Sequence, residues 1–166
     1  MTKTQYNKIN KLKSAILEGD RPDMMSYNKE KQTVTLFENG AIVYRLNADG
    51  LNEIINGMTL HDRSEKLVES VLPYDMEDYC KREFDIEEIK AFKKKSKEEK
   101  IKGKNPFTFE HNGKTYGFNY NYFLNIMAIM GKDTEVYIYV SGFNPTVKPI
   151  YFKSAIGEAI LMPVRI

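Results

Sequence analysis

One pattern occurs twice in this chain and constrains its fold more than any other: a stretch of helical periodicity followed by three short apolar segments. In the first copy, Tyr6, Ile9, Leu12 and Ile16 recur at helical spacing between Thr4 and Leu17, and Gly19 stops the helix. After the break at Asp20-Arg21-Pro22, Met24–Tyr27, Thr33–Phe37 and Ala41–Leu46 read as strands, the last two joined by an Asn39-Gly40 turn. In the second copy, Asn119 caps a helix whose inward stripe is Tyr122, Phe123, Ile126 and Met130, with Gly131 as its stop. Strands are then expected at Glu135–Ser141, Val147–Lys153 and Glu158–Met162. A helix buries one stripe and a sheet one face. Two such units therefore predict an α+β fold of two halves.

Between the copies lie less regular elements. Asp85 with Glu88 three residues on forms a capping box for a helix over residues 85–103, with Ile86, Ile89 and Phe92 inward and Gly103 and Pro106 as its end. Phe107-Thr108-Phe109 and Thr115-Tyr116-Gly117-Phe118 read as a hairpin around Asn112-Gly113. Residues 48–80 are the least legible: Leu51, Ile54 and Ile55 suggest a short helix stopped by Gly57, and Leu67–Leu72 an edge strand closed by Pro73. The apolar run Gly157–Met162 reads as a terminal strand leaving its sheet edge at Pro163.

A chain of 166 residues suits one domain with its own core. The net charge of +2 is too small to imply nucleic acid by itself, so any basic surface has to be local. A single cysteine, Cys80, removes a disulfide framework and a thiolate metal cluster and fits a reducing cytosol. The residues from Met1 to Lys8 carry no apolar signal segment and no apolar run is long enough to span a bilayer, so a cytoplasmic, non-membrane protein is expected. Gly113-Lys114-Thr115 looks like the end of a phosphate-binding loop, but Thr108 stands where the leading glycine is required. His61 and His111 have no partner at ligand or nucleophile spacing. The expectation is a non-enzyme without metal or cofactor.

The ending Leu161-Met162-Pro163-Val164-Arg165-Ile166 is similar to the Met-Pro-x-Arg-Leu type ending of one family. Phe118-Asn119-Tyr120-Asn121-Tyr122-Phe123-Leu124 is similar to that family's Phe-Asn-x-x-Tyr-x-Leu at the start of its final helix, and Pro145-Thr146-Val147 falls where it has a small residue or proline before an apolar strand. Glu65-Lys66-Leu67-Val68-Glu69-Ser70-Val71-Leu72-Pro73 looks like a degraded form of the stretch that enters its last domain. On these residues the chain resembles the DNA sliding clamps, the beta subunit of bacterial DNA polymerase III, with 116–166 matching a last half-domain. The resemblance implies a single clamp-like domain over residues 1–166, built of two strand-helix-three-strand halves with antiparallel sheets and helices on one face: 1–75 as first half, 76–105 as a basic helical addition, 106–166 as second half.

Clamp helices face a central hole and touch the DNA backbone with lysine and arginine, a contact that needs charge and reach but reads no sequence. The resemblance makes Lys8 and Lys11 on the first helix, and Lys90, Lys93, Lys94 and Lys97 on the third, candidates for that role. It also implies a groove for short peptides of polymerase or other replication proteins, lined here by Val71, Asn119, Tyr122, Pro145, Ile160, Met162, Pro163, Val164 and Arg165. Simple core placement is the competing reading for Ile160 and Met162, and a solvated face is the competing reading for the lysines. The implied function is a processivity factor on duplex DNA, assembled from several copies. The alternative is a phage or mobile-element protein that binds or modulates a host clamp or replisome without encircling DNA.

Overall fold

A computed structural model describes residues 1–73, 75–98, 106–142 and 144–164. The chain is of α+β class. The first copy of the repeated pattern forms α1 (Lys3–Glu18), β1 (Met25–Asn28), β2 (Thr33–Glu38) and β3 (Ile42–Asn47). The middle contributes α2 (Asn52–Ile55), α3 (Asp62–Val71), β4 (Tyr79–Lys81), α4 (Ile86–Glu98) and the hairpin β5 (Phe107–His111) with β6 (Lys114–Phe118). The second copy forms α5 (Tyr120–Met130), β7 (Glu135–Tyr139), β8 (Ile150–Ser154) and β9 (Gly157–Leu161).

Seven strands make one antiparallel sheet in the order β1-β2-β3-β9-β8-β7-β4, and β5-β6 stand apart. The third strand of one copy thus pairs with the third strand of the other, with Ile42 opposite Leu161 and Leu46 opposite Gly157. The sequence α1-β1-β2-β3 on one side of this seam is repeated as α5-β7-β8-β9 on the other. The second copy is preceded by a strand, β6, whereas the first begins directly with its helix.

Strand alternation decides what each face holds. Ile42, Tyr44 and Leu46 of β3, with Ala159 and Leu161 of β9 and Ile150 and Phe152 of β8, face the main core. That core is closed by α1 through Ile9 and Ile16, by α5 through Phe123, Ile126 and Ile129, and by α4 through Ile89. Aromatic rings fill its centre. Phe118 stacks on Phe123 at 4.6 Å, Phe123 meets Phe152 edge-on at 5.3 Å, and Phe84 meets Phe123 at 5.2 Å.

Local chemistry sets the element ends. Thr2 and Gln5 form a reciprocal capping box on α1, at 3.2 and 2.7 Å. Asp85 Oδ1 accepts from the backbone N–H of Glu87 and Glu88, and Asn119 Oδ1 from that of Asn121 and Tyr122. Both Asn-Gly turns have positive φ at each residue, as a two-residue hairpin turn requires.

Three expectations need correction, and one element was not expected. Residues 67–72 are not an edge strand but lie in and just after α3: Ser64, Val68 and Leu72 recur at a helical interval and are buried. The same helix crosses the sheet face opposite α1 and α5, where Val68 and Leu72 cluster with Tyr151 and Ile160. It is anchored by polar contacts too, Glu65 accepting from Asn28 Nδ2 and Thr35 Oγ1, both at 3.2 Å, and Ser64 Oγ donating to the Asp23 carbonyl. Second, β9 is a central strand, and Pro163 lies beyond its end. Third, 145–147 form a 3-10 turn and β8 begins only at Ile150, after Pro149, which has no ladder donor. The unexpected element, β4, closes the far edge on β7. The described part of α4 ends at Glu98; the expected stop at Gly103 lies outside the described residues.

The seam leaves no room at one position. Gly157 has φ +142°, and a Cβ there would lie 2.3 Å from the Arg45 carbonyl oxygen and 2.7 Å from the Leu46 Cα, both rigid backbone. Beside it, Arg45 pairs across the strands with Glu158 through Nε at 2.8 Å, and Tyr151 donates to the other carboxylate oxygen at 2.6 Å. G157A is expected to cost more than about 3 kcal/mol in urea denaturation, whereas G40A, with φ +66° and open space around it, costs about 1–2 kcal/mol. Equal costs would show that the seam can relax. Two phenols add a pH dependence. Burial, then the charge of Glu38, raises Tyr44; burial, then the hydrogen bond to Glu158, raises Tyr151. Folded values above the ordinary tyrosine value of about 10 mean that stability is intact below that pH and is lost as pH rises beyond it. Phenolate absorbance is expected to show tyrosines that ionise only as the chain unfolds, and Y151F to flatten the alkaline fall in stability.

Candidate functional site

The helix layer carries most of the basic side chains singled out by sequence. α1 and α5 pack side by side on the core face of the sheet, and α4 packs against α5, with Phe92 edge-on to Phe107 at 5.4 Å and to Tyr120 at 5.6 Å. Lys8 and Lys11 of α1 are exposed, as are Lys90, Lys94 and Lys97 of α4; Lys93, next to Phe92, is half-buried. Both helices therefore present lysines from one layer. Lys90 meets Glu87 at 2.7 Å and Lys94 meets Glu98 at 4.0 Å. Pairs this exposed are weak and yield readily to a competing phosphate. α5 contributes little charge, since Asn121 is its exposed polar residue and Asn125 donates to Glu38 Oε1 at 3.3 Å.

The residues of the implied peptide groove are split. Val71, at the end of α3, and Ile160 fall in one cluster, but it is a closed one: Ile160 is 1% exposed and covered by Val68 and Leu72. Asn119 and Tyr122 lie on the opposite side of the sheet, where the Asn119 side chain is occupied as the α5 cap and Tyr122 packs on the main core. Pro145 is buried in the turn that packs on β6. The segment after β9 runs past that same strand: the Met162 N–H donates to the Ala41 carbonyl at 2.8 Å and the Val164 N–H to the Gly117 carbonyl at 2.9 Å. Asn119 and Val164 thus lie near the end of β6, and Met162, two residues before Val164, is 42% exposed. Pro163 is half-buried, and Arg165 lies outside the described residues.

A concave site does exist, elsewhere. A groove of about 580 Å³ runs between α1, α5 and the β2–β3 turn, and Lys8 and Lys11 stand on its rim. Leu12, Ile16, Met24, Phe37 and Ile129 supply apolar lining, and Arg21, Glu38, Asn39 and Asn125 the polar edge. Sequence reasoning marked the two lysines but not the floor, whose residues come from four separate elements and carry no shared local signal. Glu38 is held in place by the Tyr44 hydroxyl at 3.0 Å as well as by Asn125. Arg21 is turned to Asp23 at 3.2 Å, and that guanidinium holds the Asp23 carboxyl below its ordinary range.

The remaining chemistry is sparse. His111 Nδ1 lies 3.3 Å from Arg82 Nη1. Among the described residues no group of three or more His, Cys, Asp or Glu side chains is placed to hold a metal ion, and no helix is long and apolar enough to cross a membrane. No protein-family model matches the chain, and neither a curated protein nor a solved structure matches it at a significant level.

The split groove gives a direct stability test. I160A is expected to cost about 2–5 kcal/mol, as a truncation in a packed core, while M162A stays within about 0.5 kcal/mol. Thermal or urea unfolding of the two variants checks this. Similar small costs for both would place Ile160 at an accessible surface instead.

Proposed function

We propose that this chain is a non-enzymatic, sliding-clamp-like protein that contacts the backbone of duplex DNA through its helix layer and tethers replication proteins. The observation that carries the reading is the doubled unit: helix and three strands, repeated across the β3–β9 seam, with both helices side by side on one face. Such a unit offers a continuous helical surface backed by a rigid sheet. Lysines on α1 and α4 lie on that surface, and phosphate contact needs nothing more specific than their charge. Several copies would have to surround a duplex for it to slide, with head-to-tail contacts that close.

A second reading is a protein that binds or modulates a clamp or replisome without encircling DNA. It is favoured by α3, which covers part of the sheet face away from the helix layer and buries Ile160. On that reading the lysines of α4 are a solvated face.

Binding of a short duplex across a salt series separates the two. For the clamp-like reading, K90A/K94A/K97A is expected to reduce the slope of log K against log salt by about 0.9 for each lysine that touches phosphate, equally for unrelated sequences. These side chains are exposed, so circular dichroism should be unchanged. A slope unaffected by the triple substitution contradicts DNA contact through α4 and leaves the second reading.

A further inference from the structure

We propose that the groove between α1, α5 and the β2–β3 turn is a docking site for a short, extended protein segment in which acidic residues flank apolar ones. The site is distinct from the positions 119, 122, 145 and 160–165 discussed above, and it does not rest on the DNA reading.

Shape argues for an extended occupant. The lining residues of α1 and its C-cap run from Lys8 to Gly19, which at about 1.5 Å per residue is about 16 Å along the helix. That length matches about five residues of extended chain, and the volume of about 580 Å³ is in the range of pockets that take a few side chains. Successive side chains of an extended segment point to opposite sides, so its alternate residues would enter the apolar floor of Leu12, Ile16, Phe37 and Ile129. The walls are fixed in advance. The Arg21 N–H is tied to the Ile16 carbonyl, the Ala41 N–H to the Glu38 carbonyl, and Asn125 bridges α5 to Glu38.

Charge argues for an acidic one. Among the described residues neither Lys8 nor Lys11 has an ion partner, in contrast to Lys90 and Lys94. They are three positions apart on α1, hence neighbours on one helix face. Glu38 is the carboxylate of the lining and keeps its negative charge, since its partners Tyr44 and Asn125 are neutral donors. Lys8, Lys11 and Arg21 stand against it in the lining, so positive charge is in excess, and the two lysines place it toward the N-terminal end of the α1 wall. A DNA backbone could use the same lysines, but it has no apolar group to place on the floor.

The test uses the whole chain and a phage-displayed library of random dodecapeptides, followed by fluorescence polarisation with a synthetic copy of the most enriched peptide. Enriched peptides are expected to carry Asp or Glu beside aliphatic or aromatic residues spaced by two. Their affinity is expected to fall at least about tenfold in K8E/K11E, and also in A15F, which places a ring in the groove without altering its charge. All three positions are exposed, so melting temperatures should change little. No enrichment, peptides without acidic bias, or affinity indifferent to both variants would overturn the proposal. So would a short duplex that loses binding in K8E/K11E yet is unaffected by saturating peptide and by A15F, which would assign the lysines to DNA.

Discussion

The pairing of β3 with β9 is the constraint on which the rest of this structure depends. It joins segments more than a hundred positions apart, as the Arg45–Glu158 separation of 113 residues illustrates, and it makes one sheet of two otherwise local units. Closing so long a loop is entropically costly and must be recovered by contacts that form only afterwards. Those contacts lie on both sides of the seam. On one side Tyr44, Ala159 and Leu161 meet the helices; on the other, Ile160 meets α3 and Arg45 meets Glu158 and Tyr151. At Gly157 the facing backbone of Arg45 and Leu46 leaves no room for a Cβ, and the missing side chain is what permits the approach.

From the seam follows the location of every surface discussed. Because the two copies are joined through their third strands, their helices fall side by side rather than at opposite ends of the sheet. The groove at Lys8 and Lys11 is the gap left where α1 and α5 diverge from the β2–β3 turn. The reverse face is partly closed by α3, whose apolar end packs through Val68 and Leu72 on Tyr151 and Ile160 while its other end is held by Ser64 and Glu65. A polar anchor of this kind fixes where the helix sits, because a displaced Glu65 would leave a buried carboxylate without partners.

What was legible in the sequence was what is decided locally. Helix stripes, the caps at Asp85 and Asn119, and both Asn-Gly hairpins depend on neighbours within a few residues, and these expectations agree with the structure. α3 was misread because Leu67, Val68, Val71 and Leu72, taken alone, suit a short strand as well as a helix; the burial of Ser64 and Glu65 that settles the matter depends on Asp23, Asn28 and Thr35. The same limit applied to β9, whose apolar run does not say whether one neighbour or two flank it. It applied again to the groove. Lys8 and Lys11 stood out as exposed basic residues, whereas Met24, Phe37 and Ile129 are ordinary core-like residues until the sheet brings them together.

The clamp-like reading joins a doubled helix-and-sheet unit to a function that requires several such units around a duplex. Its central claim is therefore about assembly, and the measurement that meets it most directly is the mass in solution by light scattering across a concentration series, with and without duplex DNA. The account predicts a discrete multiple of the chain mass that holds constant over a range of concentration and persists on DNA. A chain that remains monomeric at every concentration, with DNA present or absent, would contradict it.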